Sequence, residues 1–336
     1  MRQISCIIQC VVVFLVAATG AAAADPVAES NPLPSLRWSG GEINVESLAS
    51  LAGHDWDTIA LGDAKLDGSV IEPLRHARSI QTLRLFGIGL SGQCGRLKNV
   101  KGLKGLEIAG TNLTALDLEQ IGELTDLEYL SLWGELTINV SGAREIAKLT
   151  KLKTLRLYLV NLDDASFTEF KPLVLLEELD LSHTRVTDEG LRVVEGMSRL
   201  KVLNLTRHPD WLIKPQLTNA CVPTLMRLKE LRSLTLSGKI TDKGLTFLAR
   251  LPHLKNLSVH GTEITSAGLS ALQHSTIESV TVSSSQMGIG AQNGGAVHLK
   301  NCRTLKSVTI IGKFLSEQVI TELQMLLPEI GLSFTG

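Results

Sequence analysis

Apolar positions recur along this chain with a fixed beat. From Leu176 to Leu200, 24 residues by subtraction, the sequence reads LEELDLSHTRVTDEGLRVVEGMSR and then leucine again. Leu179-Asp180-Leu181 alternates apolar and polar, the period of a strand whose side chains point to opposite faces. From Asp188 the apolar spacing lengthens to three (Leu191, Val194, Met197), which predicts one stripe of a short helix. A single strand, turn and helix of this size cannot bury its own apolar face. Stacked on copies of itself it can, so the pattern predicts a solenoid.

The copies are present. After a degenerate first unit near Trp56, the landmark positions are Ile80, Leu103, Leu127, Leu152, Leu176, Leu200, Leu231, Leu254, Ile277 and Leu305. Most are 23 to 25 residues apart; Leu200 to Leu231 is 31 and Ile277 to Leu305 is 28. L-x-x-L-x-L reads LKGLEI at Leu103, LEYLSL at Leu127, LKTLRL at Leu152, LKVLNL at Leu200 and LRSLTL at Leu231. A second signature, T-D-x-G-L, appears at Thr187-Asp188-Glu189-Gly190-Leu191 and Thr241-Asp242-Lys243-Gly244-Leu245, and with Ser for Asp at Thr265. Its Thr, Asp and Ser are good helix N-caps.

These motifs resemble the leucine-rich repeat family, nearest the ribonuclease-inhibitor-like and cysteine-containing types with long helical arms. The resemblance covers roughly residues 56 to 330, in about eleven cycles. It implies an α/β fold: a right-handed, horseshoe-shaped solenoid with an inner parallel β-sheet and outer helices. It implies binding far more often than catalysis. Where many relatives carry Asn or Cys, this chain has Thr111, Thr184 and Thr262, whose hydroxyls can bond neighbouring backbone instead.

Outside the regular units, residues 25 to 55 read as a linker and N-terminal cap. Residues 25 to 40 are rich in Pro, Ser and Gly, and Ile43 to Leu51 has a short helical pattern. The Gly-rich run from Phe86 to Gly92 suggests a loose outer segment. Unit seven carries an insertion from Arg207 to Pro215, either a protruding recognition loop or a segment folded back on adjacent repeats. Ser283 to Gly295 reads as a second, mobile insertion. Ser316 to Leu327 reads as an amphipathic helix that, with Pro328 to Phe334, caps the far edge before residue 336.

Residues 1 to 24 have the features of a secretory signal: Arg2, an apolar core from Ile7 to Ala18 and an alanine run. Cleavage after Ala24 predicts a secreted or periplasmic protein; the other reading is an uncleaved anchor. No other stretch is apolar enough to cross a bilayer. The 33 basic and 34 acidic side chains balance, which argues against a dedicated nucleic-acid binder. Cys94, Cys221 and Cys302 are too few and too scattered for a disulfide framework and read either as buried small residues or as one pair with one free thiol.

In L-x-x-L-x-L the leucines point inward, so the residues between and just after them line the free face. There the chain is asymmetric. Units two to seven present Phe86, Trp133 and Tyr158 in one row and Arg84, Glu107, Arg156, Asp180 and Asn204 in the next. Tyr129 stands beside them, and His183, His208 and Trp211 come at the edge. Units eight to ten present mostly Ser and Thr. Charges alone would be a solvated face, with pairs such as Glu107 and Arg156 satisfying each other. Large aromatics in an exposed row point to a protein partner, or to a carbohydrate by ring stacking.

No G-x-S-x-G elbow, P-loop, H-E-x-x-H or dinucleotide fingerprint occurs, and no Cys or His pair has metal-ligand spacing. The expectation is a monomeric, non-catalytic binding protein with no cofactor, no nucleic-acid ligand and no membrane contact beyond the signal segment.

Overall fold

The leucine pairs separated by one polar residue become strands because only a pleated backbone sends both leucines to one side. In the computed structural model, which describes residues 34–39, 48, 51–62, 66–207, 217–287, 294–312 and 317–335, these strands build one parallel sheet. In chain order they are β1 (Ser35–Ser39), β2 (Asp55–Gly62), β3 (Ser79–Phe86), β4 (Gly105–Ala109), β5 (Tyr129–Trp133) and β6 (Thr154–Tyr158). Then come β7 (Glu178–Asp180), β8 (Val202–Leu205), β9 (Ser233–Leu236), β10 (Asn256–Ser258), β11 (Ser279–Ser283), β12 (Ser307–Ile311) and β13 (Gly331–Thr335). Each strand pairs only with its sequence neighbours, so spatial order equals chain order. The chain is an α/β solenoid.

One core runs through it. Leu83 and Leu85, Leu130 and Leu132, Leu155 and Leu157, Leu234 and Leu236, and Val280 and Val282 are all fully buried. They pack on helical residues such as Leu118, Ile146, Phe167, Leu191 and Leu245 within a single apolar cluster. The helices therefore cover one face of the sheet and leave the other open.

The helical arms are shorter than the resemblance implies. The α-helical pieces before the C-terminal one have four to eight residues, for example Ala115–Gly122 with 8 and Val222–Leu225 with 4. Gly190–Gly196 is a 3-10 helix, whose three-residue turn is the spacing of Leu191, Val194 and Met197.

The T-D-x-G-L signature holds neighbouring repeats together rather than only capping helices. Asp163 does cap its own helix, accepting from the Ser166 amide at 2.9 Å. Asp164 instead reaches into the following repeat, accepting from the Thr187 amide at 2.7 Å and the Thr187 hydroxyl at 2.6 Å. Asp188 binds Thr218 in the same way at 2.9 and 2.6 Å, and Asp242 binds Thr265 at 2.7 and 2.7 Å. The glycine of the signature makes room for the carboxylate. A Cβ on Gly190 would lie 2.2 Å from Asp164 Oδ1, and one on Gly268 would lie 2.0 Å from Asp242 Oδ1.

Several end and loop expectations change. Ser35–Ser39, read as linker, pairs in parallel with β2 as the first strand. Within the expected helical cap, Leu48 and Leu51 are buried. At the other end the helix spans Glu317–Leu326, but the segment after it is a further strand, β13, so the sheet is extended rather than closed. The Gly-rich run is not loose: Ile88 and Leu90 are buried, and Gly92 donates to Asp117 Oδ2 at 2.9 Å. Ser283 to Met287 is anchored as well. Buried Gln286 donates to the Val259 carbonyl at 3.0 Å and the Thr262 hydroxyl at 2.8 Å. Thr184 and Thr262 bond the carbonyls of Leu181 and Val259 at 2.8 and 2.6 Å. Residues 1 to 24 and 208 to 216 lie outside the described residues, and with them the signal segment, His208 and Trp211. Among the described residues no helix is long and apolar enough to cross a membrane.

Candidate protein-binding face

In-register parallel pairing stacks equivalent residues of successive repeats into rows. Phe86 pairs with Ala109, Ala109 with Trp133, and Trp133 with Tyr158. The next row runs Arg84, Glu107, Ser131, Arg156, Asp180, Asn204 and Thr235. Tyr129 and Glu178 belong to a third row, each paired with Thr154. All of these except the buried Ser131 and Ala109 are partly exposed on the open face.

The rings form a connected series. Trp133 and Tyr158 meet edge-to-face at 5.7 Å between centroids and 78°, and Tyr158 meets His183 at 5.1 Å and 81°. This is the favourable geometry for quadrupolar rings. Phe86 stands two strands from Trp133, across the small Ala109.

The charges pair differently from the sequence reading. Glu107 and Arg156 are two strands apart with Ser131 between, so they do not satisfy each other. Glu107 lies 3.3 Å from Arg84 Nε, close enough for an ion pair but misaligned for a hydrogen bond. Arg156 Nε donates to Glu178 Oε1 at 2.6 Å, and its guanidinium carbon sits 5.7 Å from the Tyr129 ring centroid. Burial lowers the Arg156 pKa, but the Glu178 bond and charge more than offset this and raise it. Asp180 accepts from the Ser182 amide at 2.7 Å and from Asn204 Nδ2 at 3.1 Å. Burial nevertheless pushes the Asp180 carboxyl above the ordinary range, and burial with the Asp180 charge raises the Tyr158 phenol.

Two residues missed at the sequence level complete the face. Glu178 could have been found, since it occupies the same strand position as Tyr129. Leu159 had no such signal. The position that follows the row of Phe86, Trp133 and Tyr158 is left-handed in repeat after repeat and is glycine at Gly87, Gly110, Gly134, Gly238 and Gly261. At Leu159 and His183 it is left-handed too, both with φ 60°. A non-glycine residue there costs roughly 1–2 kcal/mol. The two exceptions flank Tyr158, the middle ring of the series.

The fold has counterparts among solved structures. Rad7, in its complex with Elc1 from yeast, matches with a TM-score of 0.61 at 16% identity, over 88% of this chain and 79% of that one. A leucine-rich repeat family model matches residues 175–194, the unit in which the pattern is clearest. The chain has the leucine-rich repeat fold. An internalin from Listeria monocytogenes is similar over 88% of this chain and 85% of its own, with 19% identity and a TM-score of 0.48. The plant peptide hormone receptor RGFR1, in complex with RGF2, is similar over 90% of this chain and 51% of its own, with 14% identity and a TM-score of 0.47. No curated protein matches the sequence.

Among the described residues of this leucine-rich repeat chain, no group of three or more His, Cys, Asp or Glu is placed to hold a metal. Cys94, Cys221 and Cys302 are free and buried, and burial raises all three thiol pKa values, Cys221 to about 12 and Cys302 to about 11.

Proposed function

We propose that this protein is an exported, non-catalytic binding module that grips a protein partner on the open sheet face of β3 to β8. The observation that carries the reading is the Trp133–Tyr158–His183 ring series, partly exposed and flanked by the Arg84–Glu107 and Arg156–Glu178 pairs. Aromatic and arginine side chains bury much area for little lost entropy, and charges around them select among partners. Export is supported by the signal-like residues 1 to 24.

Affinity purification of the tagged mature chain, followed by binding measurements on each recovered protein, tests this. Replacing Trp133 and Tyr158 by Ala lowers partner affinity at least about tenfold, roughly 1.4 kcal/mol, with an unchanged circular dichroism spectrum. A partner that binds the double variant as well as the parent removes this face from consideration.

A further inference from the structure

A second site stands at the opposite end of the strands from the ring series. The 3-10 helices Gly68–His76 and Cys94–Asn99 end near each other, with Lys101 of the turn before β4 beside them. Between them is a shallow depression, wide open to solvent, lined by Arg75, His76, Lys98, Asn99 and Lys101. No carboxylate lines it. Glu72 is shared between Arg75 and Arg96, so it neutralises one of those two charges. Lys98 and Lys101 have no ion-pair partner among the described residues. A surplus of positive charge collects here in a chain whose net charge is −1.

Cations at helix C-termini are expected on dipole grounds. That does not account for this cluster. The helices Ala115–Gly122, Asp164–Thr168, Gly190–Gly196 and Asp242–Leu248 end without any basic residue in the last turn. Arg144, His274 and His298 occupy the last turn in three other repeats, but none of those helices ends with two basic residues, and Lys101 lies beyond the helix altogether.

We infer that this depression binds a compact oligoanion carrying two or more phosphate or sulfate groups. Lysine offers a mobile point charge suited to tetrahedral oxyanions, and the Asn99 amide adds directed N–H donors.

The test is calorimetric titration of the full chain with tripolyphosphate, sucrose octasulfate and orthophosphate at low salt. At least one oligoanion binds, more tightly than orthophosphate, and the bound probe identifies a phosphate or a sulfate source. K98E/K101E weakens that binding by about tenfold or more, whereas K239E/K243E, which reverses two exposed lysines elsewhere, leaves it unchanged. The inference is overturned if neither oligoanion binds, if orthophosphate binds equally well, or if both double variants weaken binding alike. Circular dichroism of each variant separates loss of the site from loss of the fold.

Discussion

Asp164 and Gly190 make one device, and a double-mutant cycle on them tests how the repeats are joined. The Asp164 carboxylate takes two hydrogen bonds from Thr187 in the following repeat, at 2.7 and 2.6 Å to its two oxygens. Charge-assisted bonds are worth about 1.5–3 kcal/mol each, and partial exposure reduces that, so D164A is expected to cost about 2–3 kcal/mol. G190A acts on the same bonds from the other side. Its Cβ would lie 2.2 Å from Asp164 Oδ1 and 2.8 Å from Cγ, so the carboxylate has to leave Thr187. The expected cost is again about 2 kcal/mol. With Asp164 already Ala, those two atoms are gone, and the closest approach known for the new methyl is the backbone α-carbon of residue 164, 3.0 Å away. G190A then costs much less, giving a coupling of roughly 1–2 kcal/mol. Urea unfolding followed by far-ultraviolet circular dichroism measures all four proteins, and equal slopes show that the variants unfold alike. If D164A costs under about 0.5 kcal/mol, or G190A costs the same in both backgrounds, the inter-repeat bonds are not what this signature is for.

Three further outcomes are expected. Leu159→Gly relieves the left-handed strain but loosens the unfolded chain by about 0.4–1 kcal/mol, so its melting temperature stays near that of the parent. Leu157→Ala, from a fully buried site, costs about 2–5 kcal/mol; equal losses for the two would show that Leu159 is not strained. Cys94, Cys221 and Cys302 remain unreactive to a thiol reagent in the native protein and all react in denaturant; rapid native labelling of any of them would contradict their burial. Glu278, held by hydrogen bonds from Lys255 and Lys306, has its pKa lowered from 4.5 to about 2. Because the folded value is the lower one, its contribution to stability is present above pH 4.5 and is lost as pH falls toward 2. Carbon-detected titration of the folded protein reads this directly, and a midpoint at the ordinary glutamate value would break the assignment.

What the sequence determined by itself follows from periodicity. Alternation at Leu179-Asp180-Leu181 settles which side of each strand is buried, and a 24-residue beat settles that the units stack. In-register stacking then places Phe86, Trp133 and Tyr158 in one row without further information. The three-residue spacing of Leu191, Val194 and Met197 even carried the 3-10 period. Only the tertiary structure decided which neighbours meet across repeats. Arg156 pairs with Glu178 rather than Glu107, and Asp164 binds Thr187 rather than its own helix. The left-handed turns at Leu159 and His183, and the strands β1 and β13, belong to the same class. The reason is one of range. A repeat's own residues dictate its local pattern, but partner choice depends on the offset between successive copies, and that offset is fixed only when whole units pack.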